Sequence, residues 1–159
     1  MRKWTIDLSA LLLRVTVGLV FIPHGYSKLF GENGPAAFAQ DVTSYGLPSF
    51  LGYAAAYAEF FGAILLVVGL LTRLDAFLLA CTMFVATFVV QLPDALHDIQ
   101  PGTIKLFAVM RGIELPVTLF AAALAIMLIG PGRFSLDSLL RVEERVMRRK
   151  TKAAAEAAA

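Results

Sequence analysis

Apolar positions along this chain gather into four long runs, and the polar positions fall mainly between them. The first, Leu8 to Phe30, holds only three strongly basic or ionisable side chains, Arg14, His24 and Lys28. Phe50 to Leu71 follows, opened by Pro48-Ser49, closed by Thr72-Arg73 and holding one acid, Glu59. A third run, Leu74 to Leu92, carries no charge after Asp75 and is expected to stop at Pro93. The fourth spans Ile113 to Ile129, with Arg111 and Glu114 at its entrance and Gly130-Pro131-Gly132, which cannot continue a helix, at its end. Crossing the hydrocarbon layer takes about 20 mostly apolar residues per helix, so the pattern predicts an all-α bundle of four transmembrane helices in residues 1–134. Only a few residues join the second and third runs, which makes them antiparallel neighbours.

The segments between the runs have patterns of their own. Gly31 to Ser49 places Phe38, Val42 and Leu47 among glycines and polar residues and predicts a short helix at the membrane interface. Pro93 to Gly112 mixes Leu96, Ile99 and Leu106-Phe107 with charges, as expected of a lid over one mouth of the bundle. From Ser135, leucines 136, 139 and 140, then Val146 and Met147, alternate with Arg141, Arg145, Arg148, Arg149, Lys150 and Lys152. Residues 135–159 therefore read as an amphipathic basic helix on anionic headgroups, with docking on a protein partner as the alternative. The closing alanines carry no functional signal.

Composition sharpens this picture. With 58% hydrophobic and 16% charged residues and a mean hydropathy of +0.75, the 159-residue chain has lipid as its main solvent. The formal charge of +2 is small and its basic residues collect in the tail, which leaves no nucleic-acid footprint on the bundle. Cys81 is alone, so an intrachain disulfide and a redox pair of cysteines are both excluded. The first run is too long for the core of a secretory signal, and no small-residue cleavage site follows it. Arg2, Lys3, Arg73, Arg133 and the tail fall on one side of the bundle, against Lys28, Lys105 and Arg111 on the other. Cytoplasmic loops hold the excess of Lys and Arg, so both termini are expected on the cytoplasmic side of a bacterial-type inner membrane.

Ionisable residues inside the runs are the candidate chemistry, because each costs about 2.5–3.5 kcal/mol at the bilayer centre unless it is paired, hydrated or functional. At about 100° per residue, Lys28 lies about 40° and His24 about 80° from Arg14 on the helical wheel, so one wedge holds all three. Gly18 and Gly25 near that wedge allow close approach of another helix or a ligand, and Pro23 predicts a kink. Depths counted along the runs predict a polar pocket with Glu59 as its floor and His24, Lys28, Arg111 and Glu114 as its ceiling. Glu59 and Arg14 are expected to form a buried ion pair, which could equally serve only as an interhelical clamp. His24 suits proton exchange near neutrality, although a lone membrane histidine is often a packing residue. Tyr57, with Phe60 and Phe61 beside Glu59, offers a wall for a flat ring. His24 and His97 are the only histidines, so haem ligation would need a fold-back of the third loop. No metal or nucleotide cofactor is expected, since no phosphate loop, dinucleotide fingerprint or nucleophile elbow is present.

Three stretches together form a known pattern: Leu13-Arg14-Val15 with Phe21-Ile22-Pro23-His24-Gly25-Tyr26-Ser27-Lys28-Leu29-Phe30, then Glu59-Phe60-Phe61-Gly62 leading to Gly69-Leu70-Leu71-Thr72-Arg73, then Gly130 to Asp137. In this order, across Leu8 to Leu140, they resemble the DoxX family of small four-helix membrane proteins. The resemblance implies that Arg14, His24, Lys28 and Glu59 form a shared polar core. It also implies a link to quinone-coupled sulfur oxidation or to thiol and oxidative-stress complexes. Arg111-Gly112-Ile113-Glu114 departs from the family's Asn-Gly-x-Glu type, keeping the acid and changing its neighbour.

Three functions follow as expectations. The first is a redox membrane subunit, an oxidoreductase component that binds a quinone or a small sulfur anion, with His24 and Glu59 as catalytic groups. Arg14, Lys28, Tyr57, Arg111 and Glu114 would then be substrate-binding, and a partner subunit or the bound quinone would carry electrons. The second is a non-catalytic scaffold or assembly factor, and the third a small transporter component. A homo-oligomer is compatible with each.

Overall fold

The computed structural model describes residues 2–32, 34–97 and 105–141, and among them all regular structure is helical. Helix α1 is Arg2–Phe30, and α2 is the short Gly34–Ser44. The second span, α3, runs Ser49–Val68 as α-helix to Tyr57, a π-helical turn over Ala58–Gly62 and α-helix again from Ala63. The third span, α4, is Thr72–His97, with a second π-helical turn at Ala86–Gln91. Helix α5 is Lys105–Ile129, and α6 is the single turn Leu136–Leu139. Four of these, α1, α3, α4 and α5, are long and apolar enough to cross a membrane. Hydrocarbon offers no hydrogen bonds to a bare backbone, so four helices, each satisfying its own amides, are the form such a chain can take.

Three of the helix ends that differ from the sequence expectation have a local reason. Helix α3 stops at Val68, because Gly69 takes a left-handed φ of 78° and Leu70 N–H turns back to Leu65 O at 3.0 Å, the closed C-terminal turn that glycine favours. Helix α4 does not end at Pro93 but continues to His97. A proline has no N–H to give and crowds the carbonyl four residues back, and the π-helical turn that ends at Gln91 absorbs the mismatch. Helix α5 starts at Lys105, so the described parts of the third connection, 93–97 and 105–112, are helix. Residues 98–104 of that connection, and the basic tail beyond Arg141, lie outside the described residues.

Packing is unequal along the bundle axis. The main core joins Val17 and Phe21 of α1, Ala63 and Leu66 of α3, Ala76, Leu79, Ala80 and Met83 of α4, and Leu119, Ala123 and Ile126 of α5. Four of these are alanines no more than 3% exposed, which lets the backbones approach where lipid supplies no hydrophobic drive for association. Leu12, Leu19, Phe77, Phe84 and Leu128 point outward. This core fills the half of the bundle near the termini (the terminus end). Towards the α1–α3 and α4–α5 connections (the loop end) the helices diverge around a cavity.

Candidate functional site

Register between α1 and α3 places the charged groups. Gly25 has no side chain, and Phe60 and Glu59 backbone of α3 occupy the space a Cβ would need. One turn pair lower, Gly18 does the same for Val67 and the carbonyl of Ala63. These two contacts are seven residues apart on both helices, so the antiparallel register is fixed. Continued upward, it brings Lys28 to within two residues of the level of Glu59. Continued downward, it leaves Arg14 about 18 Å below Glu59 along the axis, at about 1.5 Å per residue.

The observed partners follow from that register. Lys28 Nζ donates to both carboxylate oxygens of Glu59 at 2.6 Å each, and the expected pair between Arg14 and Glu59 does not form. Counting depth from the ends of each apolar run had treated the two helices as flush, whereas the glycine contacts set their offset. Glu59 is 2% exposed and sits in the π-helical turn of α3. Such single-turn π segments occur often at functional sites, since the extra residue turns a side chain out of the regular α phase. The Lys28 ammonium also lies 4.4 Å from the centre of the Phe38 ring, a cation held on an aromatic face. Phe38 belongs to α2, the short helix expected in this segment, which docks by Ala39 against Gly52 of α3 and lines the site.

Around the pair is a cavity of about 510 Å³, in the size range of small-molecule sites. Its polar lining includes His24, Lys28, Asp41, Tyr45, Glu59, Thr82 and Gln91, and the rest is chiefly apolar, from Phe21 to Leu119. Tyr45 Oη donates to Asp94 Oδ2 at 3.0 Å and so ties the end of α2 to α4 across the mouth. That bond, joined by the charges of Asp94 and Asp41, raises the Tyr45 phenol above its ordinary pKa. The Lys28 ammonium can take a negative group of a bound polar head in exchange for an oxygen of Glu59, and His24 on the same wall can exchange a proton with it.

Four expected site residues are elsewhere. Arg14 is fully buried at the terminus end, where Nη2 donates to Phe134 O at 2.6 Å and the guanidinium lies against Gly69. Tyr57 is 51% exposed on the outside of α3, stacked at 8° on Phe61; two residues before Glu59, it points about 200° away. Arg111 and Glu114 are exposed and do not line the cavity. Gly112 is the residue α5 turns toward Ala95 of α4, which directs its neighbour Arg111 outward, and Leu115, Pro116 and Leu119 supply the cavity wall of α5. His24, Lys28 and Glu59 are thus brought together, joined by Asp41, Tyr45 and Gln91, which the sequence reading did not select.

The terminus end holds a second polar group that the sequence reading missed. Asp137 accepts the N–H groups of Leu71 and Thr72 at 2.8 Å each, and its own N–H donates to Gly69 O at 2.9 Å. It therefore caps α4 from a segment more than sixty residues away, and Asp75 is buried nearby at 4% exposure. Its sequence signal was its place at the end of the Gly130 to Asp137 stretch. Among the described residues, no group of three His, Cys, Asp or Glu side chains is placed to hold a metal ion.

Comparison with known proteins is consistent with this architecture. The chain is 41% identical over 86 residues to the Bacillus subtilis (strain 168) protein named "Putative oxidoreductase CatD", a match that covers 54% of this chain and 62% of that protein, so the chain spans less than two thirds of that relative. To the Escherichia coli (strain K12) protein named "Inner membrane protein YqjF" it is 25% identical over 134 residues, covering 84% of this chain and 93% of the relative. No solved structure matches it. The DoxX family model matches residues 9–92, which include the whole α1–α3 ion pair and both π-helical turns, and the chain belongs to the DoxX family.

Proposed function

We propose that this protein is a membrane redox subunit that binds a quinone headgroup or a small sulfur anion in the loop-end cavity and supports proton-coupled electron transfer there. One observation carries the reading: an almost fully buried carboxylate paired with a lysine in the wall of a largely apolar cavity. A buried pair is costly to assemble and rarely the most stable choice, which favours a use beyond packing. A flat ring fits the apolar walls, and its oxygens find donors in Lys28 and His24. A quinone, when bound, supplies the two-electron chemistry, and a reductant or partner subunit supplies the electrons. In this reading Lys28 holds negative charge on the ligand, Glu59 fixes the ammonium and balances it, and His24 exchanges the proton.

The name of the Bacillus relative supports an oxidoreductase role, and the count of Lys and Arg supports termini in the cytoplasm with the cavity facing the other side. The basic tail would then rest on anionic headgroups or on the partner. The test is retention of quinone by protein purified in mild detergent, read by mass spectrometry, with Lys28→Met and Glu59→Gln alongside. The wild type is expected to retain quinone and both variants to lose at least about tenfold in affinity, one charge-assisted contact's worth. Wild-type protein that binds neither quinone nor thiosulfate would overturn the reading.

A further inference from the structure

The cavity also has a flank between two helices. Leu51, Ala54, Leu78 and Cys81 each line it and each remain exposed. The first pair belongs to α3 and the second to α4. Among the described residues, the Ser49–Tyr57 half of α3 packs on α1 and α2 and makes no extended contact with α4. Extended contact between the two helices begins at the π-helical turn of α3. Between them lies a slot.

Depth decides what the slot faces. Cys81 is nine residues into a 26-residue span, about 13.5 Å from its terminus-end boundary, and Leu78 about 9 Å from it. Exposure at those levels is exposure to acyl chains, since a bilayer core is about 30 Å thick. The slot is walled by alanine, leucine and the Cys81 thiol, with no charged side chain below Glu59. An inorganic anion gains nothing there, whereas each methylene placed against such walls is favourable.

We propose that the cavity is loaded from the lipid phase through the slot between α3 and α4, and that its ligand is an amphiphile: a flat polar head at Lys28–Glu59 and a hydrocarbon tail leaving past Ala54 and Cys81. This rests on the ligand-binding reading above and narrows it, setting aside a freely water-soluble anion as the occupant.

Cys81, the chain's only thiol, is a native reporter in the slot. Protein in lipid nanodiscs is treated with a membrane-permeant maleimide, and alkylation is followed by intact mass with three probes in turn. These are a fully substituted benzoquinone carrying a decyl chain, the same ring without the chain, and thiosulfate. Full substitution keeps the thiol from adding to the ring. The decyl compound is expected to slow Cys81 alkylation by more than about tenfold, and the other two by less than about twofold. Ala54→Phe, at an exposed position where folding is tolerant, and Leu78→Phe are expected to weaken the decyl effect severalfold.

Equal protection by the ring with and without its chain would overturn loading from lipid while leaving quinone binding intact. Retention of no probe by the wild type, measured separately, would overturn the function itself. Dimers of the native protein cross-linked through Cys81 by a short bis-maleimide would show that a second copy fills the slot, and would overturn the proposal too.

Discussion

The two ends of this bundle hold buried charge in opposite ways. At the terminus end, Arg14 and Asp137 are tied to backbone: a guanidinium on Phe134 O, a carboxylate on two amides of the α4 N-terminus. Arg73 adds a bond to Met127 O at the end of α5, and Asp7 accepts the N–H of Arg133. At the loop end, Lys28 and Glu59 are tied to each other, beside a cavity. A charge held by backbone groups is fixed by the fold even where, as at Arg14 Nε and Nη1, it keeps unbonded donors, whereas an ion pair beside a cavity can exchange one partner for a substrate group. Buried charge alone therefore does not mark a site; what its partner is, and whether space adjoins it, does.

Substitutions can separate the two roles. The largest effect is expected from Gly69→Val, because a left-handed residue would gain a branched side chain in the space Arg14 fills. A cost of about 4 kcal/mol, from backbone strain and overpacking together, should appear as loss of folded protein in detergent. Lys28→Ala comes next, at about 2–3 kcal/mol, since it leaves Glu59 buried without its cation, and solvent reaching Lys28 moderates the loss. The double change Lys28→Met with Glu59→Leu should recover most of that stability while abolishing ligand binding, which would divide a site from a clamp. If it also restored binding, the loop end would be no different in kind from the terminus end.

Asp137→Ala should cost about 1–2 kcal/mol, the value of a helix cap, and leave ligand binding at the far end unchanged. Tyr45→Phe is the smallest: its exposed bond to Asp94 should matter little to stability and more to the rate of exchange at the mouth. That bond has a pH window. A phenol whose pKa is raised in the folded state favours folding while protonated, so its contribution is present at neutral pH and lost as pH rises through the raised phenol pKa, above 10. Ligand exchange rates in wild type and Tyr45→Phe should therefore converge at high alkaline pH.

Much of the architecture could be read from the chain. Four apolar runs specify four crossings, since in lipid the helix is the economical way to pair every amide, and Gly18 and Gly25 announced a close approach on α1. His24, Lys28 and Glu59 stood out because ionisable groups inside such runs are rare. The position of Arg14 on the same wedge made it an attractive partner for Glu59, and that inference failed. A helical wheel gives direction around one axis and says nothing of the offset between two.

Hydropathy is a property of single residues and their neighbours along the chain, so the number, type and rough extent of the membrane helices were fixed by sequence alone. Which cation meets Glu59 depends on how α1 is set along α3: Lys28 and Arg14 share one wedge but lie about 21 Å apart along the axis, and only the offset between the helices chooses between them. Only the fold decides that offset, through backbones touching at two glycines, and only the fold opens the slot between α3 and α4, because a gap between helices has no residues of its own.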